Sequence, residues 1–221
     1  TNMAITEAAI TVGSATNVSS QATASVTPTT NRLQLLCVLN NKDTSNTPIT
    51  PTVTGNSLTW VQVDTVLYQT SSKRITVFRA LGTATTGAAT IDFAGESQDG
   101  IQWSWAEFAG IDTTGTNGSG AIVQSVNNTT TGATSLTVTL AAFGNANNAT
   151  FGYFGKANTA NPISVGSGFS QIHEQSATNA GRQISEWRND NDTTVDCSWT
   201  ASHPCGGIAI EIKQATAATT N

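Results

Sequence analysis

Few residues in this chain combine a reactive type with a useful spacing. Trp103 and Trp105 form an i, i+2 pair on one strand face. Such a pair could stack on a sugar ring, but it is more often core packing or an aromatic anchor at an interface. They are the candidate glycan or interface aromatics. Asn189-Asp190-Asn191-Asp192 clusters side-chain oxygens that suit calcium, but lacks the spacing and downstream glutamate of an EF-hand loop. Turn chemistry accounts for the same residues. Cys197, His203 and Cys205 suggest zinc, yet no fourth ligand lies nearby. Cys197 and Cys205 could also bridge a hairpin or remain thiols, and Cys37 reads as a small buried hydrophobe.

Acid-base chemistry would have to use His173-Glu174 or His203, the sites of both histidines. Ser167, between Gly166 and Gly168, lacks the flanking pattern of a nucleophile elbow. Glu96 and Asp99 share a loop, but spacing alone cannot aim two carboxylates at one bond. The reading therefore assigns no catalytic residue, no metal and no cofactor, and expects a protein that is not an enzyme.

The surrounding composition favours contact over chemistry. Charged residues make up 10% of the chain, against about a quarter in an average domain. Threonine, serine, asparagine and glycine fill the place of the missing charges, with 39 threonines among 221 residues. Threonine fits a pleated strand and hydrogen-bonds without a desolvated charge. A net charge of -5 argues against nucleic acid, which calls for a basic stripe. Lys73-Arg74, the one adjacent basic pair, reads as a solvated turn. No apolar run is long enough for a membrane-spanning helix, and the first 20 residues lack the basic start and apolar block of a signal peptide. The expectation is synthesis in a host cytoplasm without export.

The periodicity is that of strands. The strongest covers residues 32–40, where Leu33, Leu35, Leu36, Cys37, Val38 and Leu39 imply burial on both faces. Residues 58–69 and 73–81 read as a hairpin around Thr70-Ser71-Ser72. Residues 88–94 form a short strand, and Pro48 and Pro51 keep the strand after them at an edge. In residues 101–109, Ile101, Trp103 and Trp105 share one face, and Ala106 and Phe108 the other. Later strands are expected at 121–126, 135–142, 149–154, 163–169, 183–188, 194–200 and 208–213, with no useful helix. This pattern predicts an all-β, antiparallel two-sheet β-sandwich of jelly-roll type. Residues 1–30 are expected to form an extended N-terminal arm with one or two edge strands. Residues 31–213 form the sandwich, and 214–221 a loose polar tail.

The order of several segments carries a resemblance. Leu58-Thr59-Trp60-Val61 is followed by Ile75-Thr76-Val77-Phe78-Arg79-Ala80-Leu81-Gly82, then by residues 87–93. Ala106-Glu107-Phe108-Ala109-Gly110-Ile111-Asp112 comes next. Cys197-Ser198-Trp199-Thr200 and Gly207-Ile208-Ala209-Ile210-Glu211-Ile212-Lys213 close the series. Over residues 33–213 this resembles a group of jelly-roll domains of tailed-phage virion proteins and some bacterial surface proteins. The resemblance implies a structural or attachment role and carries over no catalytic residue. It leads to the expectation of a capsid decoration (cement) protein at the virion surface. Its partners would be the major capsid protein and copies of itself, as a homotrimer. A receptor- or glycan-binding module of a tail fibre or cell surface, and an extracellular filament subunit, are the alternatives.

Overall fold

The computed structural model describes residues 3–43 and 47–217. It is all-β, with three antiparallel sheets and no α-helix among the described residues. The first sheet has the order β1 (Thr6–Val18), β8 (Gln98–Ala109), β3 (Leu33–Asn41), β6 (Lys73–Ala80), β5 (Val61–Tyr68). The second runs β11 (Ser164–Val165), β14 (Thr194–Ile212), β10 (Ala149–Lys156), β13 (Gly181–Arg188), β12 (Ser170–Ala177), with β9 (Ile122–Thr139) also paired to β14. The third is small: β2 (Ser20–Ala22), β7 (Thr90–Asp92), β4 (Thr52–Thr54).

The apolar run of β3 explains the layering. Alternate side chains of a strand point to opposite faces, and every residue of β3 is buried. Leu35, Cys37 and Leu39 meet Phe151 and Tyr153 of β10 and Ile208 and Ile210 of β14 in the core between the two large sheets. Leu36 and Val38 face the other way, with Trp103, Trp105, Ile91 and Phe93, under the third sheet. The expected division of β8 holds: Ile101, Trp103 and Trp105 lie on this side, and Ala106 and Phe108 on the other.

A third core covers the outer face of the second sheet. Strands β9 and β14 form one long ribbon whose register breaks between Ser198 and Cys205. Past the break, Leu136, Val138, Val195 and Cys197 pack with Phe154, Ile184 and Ala209. Glycines permit this approach: a Cβ at Gly207 would stand 2.6 Å from Phe154 Cε1, and one at Gly152 would stand 2.7 Å from Val195 Cγ1.

Several boundaries differ from the sequence reading. Residues 127–134, Asn-Asn-Thr-Thr-Thr-Gly-Ala-Thr, look like a turn but continue β9 as half of the ribbon. Pro204 and Gly206-Gly207 likewise look like breakers, but lie inside the 19-residue β14. The expected strand at 163–169 is reduced to Ser164–Val165, and β12 follows where no strand was expected. Lys73-Arg74 is not a solvated turn. Lys73 opens β6 at 3% exposure, and Arg74 donates Nε to the Pro48 carbonyl at 2.9 Å. The turn sits before them, with Gln69, Thr70 and Ser71 at positive φ.

The N-terminal segment has strands from residue 6. β1 pairs along its length with β8, and Ile5 is 1% exposed in the main core. A bulge between Ala9 and Thr11 changes the parity of β1. Ile10 therefore packs toward the third sheet while Val12 stays exposed. The following segment is also tied down, by Thr23 N–H to the Ala89 carbonyl at 2.8 Å and Val26 N–H to the Gly87 carbonyl at 2.9 Å. At the other terminus Gln214 is 4% exposed and donates Nε2 to the Met3 carbonyl at 2.9 Å, so the expected loose tail begins pinned. Residues 1, 2 and 218–221 of the expected arm and tail, and 44–46 of the polar loop, lie outside the described residues.

Candidate functional site

The aromatic pair lies in the core. Trp105 is 0% exposed, donates Nε1 to Gln34 Oε1 at 2.8 Å and takes the edge of Trp60 at a centroid distance of 5.2 Å. Trp103 is 6% exposed and lies against Gly13 of β1. Sugar stacking needs a ring face open to solvent, which neither offers. An i, i+2 aromatic pair looks the same in sequence whichever way its face turns.

Gln34 leads from Trp105 to Glu107. The Glu107 carboxylate accepts from Gln34 Nε2 at 3.0 Å, Thr29 N–H at 2.8 Å, Thr29 Oγ1 at 2.7 Å and Arg32 Nη1 at 3.1 Å. Burial alone would raise its pKa. The hydrogen bonds from Gln34 and Thr29 and the Arg32 charge outweigh burial and lower it. Glu107 thus fastens the loop ahead of β3 to the first sheet.

The structure brings together two serines and one histidine. Ser104 Oγ of β8 lies 2.8 Å from His173 Nδ1 of β12 and 2.8 Å from Ser185 Oγ of β13, which also accepts the His173 main-chain N–H at 3.1 Å. One proton order satisfies all three groups: Ser185 donates to Ser104, and Ser104 donates to a neutral His173 Nδ1. Burial lowers the His173 pKa, consistent with the neutral ring. A nucleophile must also be reached by its substrate, and Ser104 is 2% exposed between two sheets. The same seam holds Gln102 Nε2 to the Gly181 carbonyl at 3.1 Å and Gln183 Nε2 to the Trp103 carbonyl at 2.9 Å. These contacts crosslink the large sheets. Sequence reasoning named His173 but not its partner, because Ser104 is brought to it by tertiary pairing.

The calcium candidates are engaged by a cation. Arg188 donates Nε to Asp190 Oδ1 at 2.5 Å and Nη1 to Asp192 Oδ2 at 2.8 Å, while Asp192 Oδ1 accepts the Thr194 N–H at 2.8 Å. The Arg188 hydrogen bond holds Asp190 below the usual carboxylate range. Cys197 and Cys205 are buried free thiols, and burial pushes the Cys197 thiol well up. His203 turns to Asn161 Oδ1 at 3.2 Å. Among the described residues no group of three or more His, Cys, Asp or Glu is placed to hold a metal. Glu96 pairs with Lys42 at 2.9 Å and Asp99 accepts the Asp43 N–H at 2.7 Å, so the two face separate partners.

Two features escaped the sequence reading. Glu186 of β13 is fully buried, with Oε2 accepting the Gly166 N–H at 3.0 Å and Oε1 unpartnered. Burial, reinforced by the Asp196 and Asp192 carboxylates, pushes its pKa up to about 8. A surface cleft of about 480 Å³ is bordered by Val123, Asn145, Asn148, Glu211 and Lys213. At its floor Glu211 accepts from Gln124 Nε2 at 2.6 Å and Asn148 Nδ2 at 2.8 Å, leaving neither carboxylate oxygen without a donor. No family model, curated protein or solved structure matches this chain.

Proposed function

We propose that this chain is a non-enzymatic virion structural protein, a capsid decoration subunit that binds the outer surface of a tailed-phage head and stabilises it. On this reading the two larger sheets are a sandwich of jelly-roll type, and the major capsid protein and further copies of the chain are the partners. The observation that carries it is the contrast between interior and surface. The groups capable of chemistry, Ser104, His173, Cys197, Cys205 and Glu186, are inside or partnered within the fold. The outside is mostly threonine, serine and asparagine around long strands, with Asp43, Asp92, Glu96 and Asp190 the exposed charged residues among those described. Neutral surfaces associate without losing strength to salt screening, and many weak contacts repeated over a shell add through avidity. The glycan-binding alternative loses its main support, because Trp103 and Trp105 are core residues.

Cosedimentation with undecorated heads, at low and high salt, tests this reading. Retention of the folded protein on heads in both conditions is expected, and free protein in both would refute it.

A further inference from the structure

β1 is an open edge. It pairs with β8 on one side and with no other strand among the described residues. Such an edge presents unpaired N–H and C=O groups, and proteins commonly guard it with lysine, proline, an inward charge or a bulge. Here the bulge and the single charge, Glu7, both fall in the first half of the strand. Residues 11–18, Thr-Val-Gly-Ser-Ala-Thr-Asn-Val, contain no charge and no proline and keep unbroken register from Thr11 to Thr16. Val12, Ser14 and Thr16 alternate on one face and are all exposed, Val12 at 38%.

We infer that residues 12–16 of β1 dock a second copy of this chain, antiparallel about a two-fold axis at Ser14, so that two five-stranded sheets become continuous; Asn17, at a φ of 55°, ends the paired segment. The side-chain order is self-complementary in this register. Ser14 faces Ser14, and Val12 faces Thr16 of the second copy on each side of the axis. On the opposite face Gly13 meets Ala15 on each side of the axis. Directly opposed residues of an antiparallel pair lie on the same sheet face, and these pairs keep that parity. No charge opposes a charge, although each chain carries -5, because Glu7 lies outside the paired segment. The Thr16 methyl covers the exposed Val12, and the small Gly13 and Ala15 leave the backbones free to approach.

Two copies of one edge meet as an isologous contact, which closes as a dimer; a three-fold ring would need a second, different edge. The inference thus replaces the expected trimer with a dimer as the solution unit, and it stands independently of the capsid reading.

Sedimentation equilibrium of the full chain, its Ser14→Lys variant and its Ser14→Cys variant provides the test. The wild type is expected to dimerise with rising concentration. Ser14→Lys sets two ammonium groups opposite each other and is expected to weaken the dimer at least tenfold with unchanged circular dichroism. Ser14→Cys, a change of little volume, is expected to form a disulfide-linked dimer with oxidised glutathione, since opposed Cβ atoms approach to about 4.5 Å, the upper end of the disulfide range. The native thiols are buried, which leaves the new one accessible. A wild type that stays monomeric, a trimer, a dimer indifferent to Ser14→Lys, or a Ser14→Cys variant that fails to crosslink would overturn the inference.

Discussion

Gly13 of β1 lies flat against the Trp103 indole of β8: a Cβ at residue 13 would stand 2.7 Å from Trp103 Cε2. The contact couples the N-terminal strand to the aromatic core. Gly13→Ala would overpack it, and overpacking costs about 1–3 kcal/mol. The expected result is a lower urea midpoint with an unchanged slope. An unchanged midpoint would mean that the ring moves aside freely.

Glu186 and Glu107 give stability opposite pH dependences. Glu186 keeps its proton in the fold up to about 8, whereas the unfolded chain releases it near 4.5. Its contribution is present below 4.5 and is lost as pH rises through 8, with a slope of at most about 1.4 kcal/mol per pH unit. Glu107 has a lowered folded pKa. Its contribution is present above 4.5 and is lost as pH falls through that lowered value. Glu186→Gln keeps an acceptor for the Gly166 N–H and removes the titration. Thermal melts of this variant are expected to show higher stability than wild type at pH 8.5 and a flatter profile between pH 4.5 and 8.

The carboxylate of Glu107 also holds the loop ahead of β3. Glu107→Ala strands the Thr29 N–H and the Gln34 amide, each a loss of about 1–3 kcal/mol if left unpaired. Hydrogen exchange at the Thr29 amide is expected to accelerate far more than exchange in β10. Uniform acceleration would mean that the loop and body open together.

All three cysteines are buried thiols. Titration with an aromatic disulfide reagent should leave the native protein almost unlabelled and count three thiols after unfolding. One thiol after unfolding under non-reducing conditions would instead indicate a Cys197–Cys205 disulfide.

The strands of the first sheet were legible because burial on both faces writes a continuous apolar run, as in β3, and burial by alternate faces writes the Ile101/Trp103/Trp105 pattern of β8. The β9–β14 ribbon was not, because much of its middle is exposed and its polar residues, glycines and proline also describe turns. The bulge after Ala9 puts Ile10 and Val12, two residues apart, on opposite faces, a change fixed by pairing with β8 that alternation alone does not report. The same limit applied to the candidate residues. Composition identified the tryptophans but not their burial, and His173 but not Ser104. Glu186 had left one sign, a single carboxylate in the strand segment Ile184-Ser185-Glu186-Trp187.

On the proposed reading this sparsely charged β protein acts by binding a capsid surface. The most direct measurement is the occupancy of undecorated tailed-phage heads, from a phage carrying this gene, titrated with the protein at about 50 mM and 1 M salt. The account predicts saturable binding that changes little between the two conditions, as follows from an interface with few charges. Absence of binding at both salts, by protein that keeps its native circular dichroism, would contradict it.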